Sequence, residues 1–322
     1  MSNTDTNYLL FLHYLCHEHP QKLLNIAKSY PNQDAFQEHQ NEIIALIATP
    51  KRPKDAINSQ INQFNINQYK AQLDTANVQW LSIMDPKSPS QLKHTHTPPL
   101  LLFYKGNIDH LRHPQLGIVG PRYPSQYAQQ VAEQFTKELC PYFVITSGLA
   151  KGIDKVAHEN ALKKGYPSIA VVGCGLDIIY PQENQHLFHQ LINNGLILSE
   201  YPLQSPPKPF HFPQRNRIVS GLCQGILVCE AGPKSGALIT ARLALEEHRD
   251  VFSIPGDIFN PLSKGTHMLI QDGAKLTQSI DDILNEFPEQ PILSISPQKK
   301  QPQAPPSHLT QSEAKLLSLI PQ

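Results

Sequence analysis

The chain has 322 residues, 40% of them hydrophobic, enough for one good core and a smaller second module. Its 27 Lys and Arg balance 27 Asp and Glu, so the formal net charge is zero. That balance excludes a polybasic protein that coats nucleic acid indiscriminately.

From Asn7 to about Asp74 the sequence is rich in Gln, Asn and His, with Phe36, Ile43, Ile44 and Ile47 at helical spacing, which predicts a small helical module over residues 1–76. Pro50-Lys51-Arg52-Pro53 splits the module in two, because proline ends helices and pushes its predecessor extended. Its N-terminus lacks a basic run, and Tyr8 to Leu15 is interrupted by His13, so neither a secretory signal nor a membrane span is expected. Residues 80–84 and 100–104 read as short strands added to a sheet edge. Strands are then expected at 117–120, 143–147, 169–173, 196–199, 226–230 and 251–255, with helices from Pro124, Ile153, Glu183, near Arg215 and from Gly236. Continuous apolar strands between amphipathic helices predict an α/β fold over residues 77–290, with a doubly wound, mostly parallel sheet. Residues 291–307, holding Pro302, Pro305 and Pro306, read as a Pro-rich linker. In 308–322, Thr310-Gln311-Ser312-Glu313 forms a capping box before an apolar-faced helix, as at the start of a truncated further domain.

Three of the predicted strands end in glycine-bearing turns that open helices. They lead into Gly120-Pro121-Arg122, into Gly148-Leu149-Ala150-Lys151-Gly152, and into Gly232-Pro233-Lys234-Ser235-Gly236. Glycine lets backbone N–H groups approach an oxyanion, and the helix N-terminus behind carries about +0.5 of an elementary charge. Such turns make phosphate cradles, and each brings a cation: Arg122, Lys151 or Lys234. Basic ground is concentrated around them, since residues 201–229 contain Lys208, Arg215 and Arg217 but no acid. Arg215 and Arg217 diverge by about 200° on a helix, so both reach one ligand only from an exposed first turn. Ser235 can cap its helix or bond a phosphate.

Other features carry less chemistry. No Walker motif stands at Lys234-Ser235, and Gly173-Cys174-Gly175-Leu176-Asp177 has Ile178 where the dinucleotide fingerprint needs its third glycine. Asp154 and His158, four apart, read as a surface pair or buried hydrogen bond before a metal pair. The five cysteines are odd in number, widely spaced and without a C-x-x-C pair. They fit a reducing, cytoplasmic setting, and Cys174, Cys223 and Cys229 read as core. No catalytic residue, metal or cofactor is assigned.

Taken in order, these segments resemble the DNA-processing protein A (DprA/Smf) family. The resemblance rests on Val119-Gly120-Pro121-Arg122-Tyr123-Pro124-Ser125, Ser147-Gly148-Leu149-Ala150-Lys151-Gly152-Ile153-Asp154, Ala157-His158, Tyr180-Pro181, Ser199-Glu200, Phe212-Pro213-Gln214-Arg215-Asn216-Arg217-Ile218, Ser235-Gly236-Ala237-Leu238-Ile239-Thr240-Ala241 and Pro255-Gly256. It departs at Pro121, where the family's turn usually has serine, at Ser88-Pro89, and at His267. The resemblance implies a Rossmann-like core behind a SAM-like helical domain, often followed by a winged helix. It implies a non-enzymatic homodimer that binds and protects incoming single-stranded DNA in natural transformation, and loads RecA recombinase despite single-strand-binding protein. Carried over by position, Arg122, Ser147, Gly148 and Lys151 would hold phosphates and Lys208, Phe212, Arg215 and Arg217 would shape the strand's path. Ser235 and Gly236, beside Lys234, would close the pocket. The competing expectation is a nucleotide-processing phosphoribohydrolase-like enzyme, in which Glu230 would stand near a ribose. That group's Pro-Gly-Gly-x-Gly-Thr turn is missing here.

Overall fold

Six short helices precede the first strand in the computed structural model, which describes residues 6–289 and 291–293. They are α1 (Thr6–Cys16), α2 (Pro20–Ser29), α3 (Gln33–Glu38), α4 (Gln40–Ile47), α5 (Lys54–Gln63) and α6 (Ile66–Thr75). The asparagines of this region work as caps: Asn32 accepts from the Ala35 amide and Asn65 from those of Asn67 and Gln68. The proline break falls where expected, α4 stopping at Ile47 and α5 starting behind Pro53. Phe36, Ile43, Ile44 and Ile47 are buried, and α1 is enclosed along most of its length, including His13. The expected linker beyond residue 293 and the segment 308–322 lie outside the described residues.

The α/β part holds one nine-stranded sheet: β1 (Gln79–Ser82), β2 (Leu101–Gly106), β3 (Gln115–Val119), β4 (Val144–Ser147), β5 (Ser168–Val172), β6 (Leu196–Ser199), β7 (Gly225–Val228), β8 (Asp250–Ser253) and β9 (Lys275–Leu276). Its order is β1-β2-β6-β5-β4-β3-β7-β8-β9. Seven strands from β6 to β9 run parallel, and β2 and β1 add an antiparallel edge. The connecting helices are α7 (Ser90–Lys93), α8 (Gln126–Leu139), α9 (Ile153–Lys163), α10 (Gln185–Asn194), α11 (His211–Leu222), α12 (Gly236–Glu246), α13 (Lys264–Gln271) and α14 (Asp281–Leu284).

Both sheet faces are covered, as continuous apolar strands require. Along β7, Ile226 and Val228 enter one apolar cluster while Leu227 enters the other. The first cluster runs without a break from the sheet into the N-terminal helices; the second is closed by α8 and α9 through Ala128, Ala132, Phe135, Leu139 and Ala157. Two departures from the sequence reading bear on function. Helix α11 begins at His211, placing Arg215 and Arg217 in its second turn rather than an exposed first one. The two-residue β9 and the short α13 and α14 follow residue 255, where no element was expected. No described helix is long and apolar enough to cross a membrane.

Candidate nucleic-acid interface

The chain leaves β3 toward β4, β5 and β6, then crosses back to place β7 on β3's other side. The sheet order therefore reverses at β3, and the carboxyl ends flanking such a reversal form a crevice. Because β4, β3 and β7 are neighbours, the three glycine turns stand side by side there. They open into one pocket of about 900 Å³, with α11 along its floor. Among the sequence candidates Arg122, Gly148, Phe212, Arg215, Lys234, Ser235 and Gly236 line it.

Arg122 is exposed and holds its guanidinium carbon 5.5 Å from the centre of the Phe212 ring. Phe212 in turn lies 5.6 Å from Tyr180 and passes close to Gly173, where a Cβ would come within 3.2 Å of the ring. Tyr123 adds a third ring, 78% exposed. The result is a cation beside three aromatic rings around one opening, a set that suits base stacking and phosphate contact. Opposite charges do not neutralise it: neither Arg122 nor Lys234 makes an ion pair among the described residues. Ser235 caps α12, its hydroxyl accepting from the Ala237 amide at 3.3 Å. Gly236 beside it faces open space, with nothing within 4 Å of where a Cβ would stand.

The pocket floor holds two buried charges of opposite sign, Arg215 and Asp154. Arg215 is 4% exposed and donates from Nη1 to the Val171 carbonyl, while its Nε has no partner among the described residues. Asp154 lies beside it, its carboxyl raised by burial and lowered in part by Arg215. The same carboxylate accepts from the amides of Gly148 at 3.1 Å and Ala150 at 3.3 Å. The expectation that these amides await an oxyanion therefore fails for the second turn: the protein's own Asp154 occupies them. Gly148 is needed for a different reason, because a Cβ there would stand 2.3 Å from the Arg215 guanidinium.

Four candidates do not line the pocket. Ser147 is buried and donates to the Ile118 carbonyl at 2.7 Å. Lys151 pairs with Glu183 at the surface. Lys208 pairs with Glu18 of the helical region and lines a separate cavity. Arg217, on the opposite side of α11 from Arg215, places Nη2 2.6 Å from each oxygen of buried Glu200. Glu230, the carboxylate an enzyme would use, accepts from the Ser125 amide at 2.9 Å, the Ser125 hydroxyl at 2.7 Å and Asn260 at 3.2 Å. Asp154 and His158 go separate ways, His158 sharing a 2.7 Å hydrogen bond with Ser168. Tyr123 and Tyr180 were not singled out in sequence, although each stands inside a motif quoted above, and Asp154 was read only together with His158.

The comparison with known families is decided by the same stretch of chain. Residues 79–288 match the family described as DNA recombination-mediator protein A, a span that contains every residue of the pocket. The chain belongs to this family. Among curated DprA proteins it is 50% identical over 206 residues to that of Streptococcus pneumoniae, covering 64% of this chain and 73% of the relative. To that of Bacillus subtilis it is 39% identical over 246 residues, covering 75% of this chain and 83% of the relative. The crystal structure of the Streptococcus pneumoniae protein superposes with a TM-score of 0.74 at 38% identity, over 88% of this chain and 99% of that one. A structure of DprA from Helicobacter pylori, which concerns a unique single-stranded DNA binding mode of that protein, superposes with a TM-score of 0.60 at 32% identity, over 66% of this chain and 98% of that one. In this DprA-family chain the Pro121 carbonyl accepts from the Ile153 amide at 3.3 Å, which ties the first turn to the start of α9.

Proposed function

We propose that the chain is a non-enzymatic mediator that binds single-stranded DNA in the pocket at the β3 reversal. The observation that carries this reading is the convergence of unpaired Arg122 and Lys234 with the Tyr123, Tyr180 and Phe212 rings in one opening. Phosphates would meet Arg122, Lys234 and the first turn of α12, whose early amides lack intrahelical acceptors. Bases would stack on the rings, each stack contributing about 1–3 kcal/mol with little sequence preference. Arg215 would act from the floor through its positive charge. The engaged state of Glu230 speaks against a ribose-directed carboxylate, so no chemical step is assigned.

The wider role proposed is that of the family resemblance: a cytoplasmic homodimer that protects incoming single strands in natural transformation and loads RecA recombinase onto them despite single-strand-binding protein. A duplex hides the base faces that the rings would need. Anisotropy titrations with labelled single-stranded and duplex oligonucleotides of one sequence should therefore show a strong preference for the single strand. Equal affinity for the two would remove the stacking account.

A further inference from the structure

Between the N-terminal helices and the loop joining β6 to α11 lies a second cavity, of about 340 Å³. That volume stands near the lower end of small-molecule pockets, which run from roughly 300 to 1,000 Å³. Tyr14, His17 and Tyr69 bring rings to it from the helical side, and Pro202, Pro206 and His211 from the other. Two of these residues carry a buried polar atom without a partner among the described residues: the Tyr69 hydroxyl and His211 Nε2. Tyr69 is 7% exposed and His211 not at all, so these groups are shut off from bulk water.

The two best-buried groups define a complement. His211 Nδ1 lies 3.0 Å from the Gly173 carbonyl, so Nδ1 carries the proton and Nε2 is left as an acceptor. The Tyr69 hydroxyl has a proton to donate. Their shared complement is a planar group with a donor and an acceptor on its edges and an apolar face for the rings. A pyrimidine such as thymine has all three. Lys208 and Glu18 stand at the same cavity, paired with each other and each more than a third exposed, so the lysine can exchange its partner for a phosphate.

The cavity also adjoins the main pocket. Along the extended segment between β6 and α11, Pro206 and Lys208 line the cavity while Pro207 and Pro209 line the pocket. His211 and Phe212 divide in the same way. One thickness of chain separates the two spaces.

We propose that this cavity takes a nucleobase whose attached phosphate meets Lys208. Its place next to a bound strand rests on the reading of the main pocket; the base chemistry does not. The base comes either from the strand that fills the main pocket or from a free nucleotide.

The test uses the full chain as wild type, Tyr69→Phe and Gln72→Trp. Gln72 is an exposed residue of α6 that lines the cavity, so a tryptophan there fills the space without entering a core. The probes are labelled oligothymidylates of increasing length, read by anisotropy, and thymidine monophosphate, read by calorimetry. With a base drawn from the strand, wild-type affinity rises about tenfold once the oligomer outgrows the main pocket. Gln72→Trp abolishes that rise and Tyr69→Phe diminishes it, while the shortest binding oligomers are unaffected. With a free nucleotide, the length series is the same in all three proteins and monophosphate binding is lost in Gln72→Trp. Identical behaviour of the three proteins toward both probes overturns the proposal. Failure of every oligomer to bind would instead count against the main pocket, and the monophosphate would then decide the cavity alone.

Discussion

Arg215 and Arg217 stand two positions apart on α11, about 200° around its axis, and the helix sends them to different work. Arg215 underlies the pocket beside Asp154, whereas Arg217 is spent on Glu200. Both members of the second pair are buried, and removing one side of such a pair costs about 3–5 kcal/mol because the other charge is left uncompensated. Glu200→Gln should therefore shift the urea midpoint markedly downward while the salt dependence of DNA binding stays as in wild type. A change in the salt dependence without loss of stability would put Arg217 back in the strand's path. Arg122 was legible in the sequence because an arginine directly after a strand-end glycine turn has little to pair with locally. The job of Arg217 was not, because its partner lies at the end of β6, far away in sequence, and spacing alone carries no distance. Asp154 shows the same limit: its motif was visible, but only the folded turn reveals that its carboxylate takes the amides of Gly148 and Ala150.

At the scale of elements, the three glycine turns share a sequence signature yet differ in use. The turn after β4 is packed solid, with Arg215 beneath Gly148, whereas Gly236 opens α12 into free space. Gly148→Ala should cost about 1–3 kcal/mol by overpacking and should displace Arg215. Gly236→Ala should leave the melting temperature within a degree or two and weaken oligonucleotide binding by obstructing the anion's approach. Thermal melts and anisotropy on the two variants check this; the reverse pattern would mean that the second turn, not the third, is the open one. The alternation of β3 to β8 with helices was readable because buried parallel strands are continuously apolar. The edge was harder. The two residues of β9 carry no period, and α11 begins at His211, ahead of the start expected near Arg215, with Pro213 accommodated in its first turn.

Across the whole molecule the helical region and the sheet share one apolar core, and histidines are enclosed where they meet. Burial lowers His13 to about 3 and His17 to about 4, and it lowers His158, inside the α/β part, to about 3. The unfolded chain takes up these protons near pH 6.5 while the folded chain does not, so the stability they allow is present above that pH and is lost as pH falls. At pH 5 each such histidine disfavours the fold by about 2 kcal/mol relative to neutrality. His13 packs edge-on against Phe103, and burial outweighs the Glu200 backbone that favours its charged form, so His13→Phe should lessen the drop in urea midpoint between pH 7 and pH 5. An unaltered drop would mean that His13 is not held neutral.

The pocket at the β3 reversal is the centre of the account, and salt dependence reads it most directly. For single strands the slope of log affinity against log salt grows by about 0.7 for each phosphate neutralised. Measured on one unlabelled oligothymidylate series at several salt concentrations, Arg122→Ala should weaken binding and make the slope shallower by about that amount, with the fold intact. An affinity and slope equal to those of the wild type would place the strand elsewhere on the molecule and contradict the account.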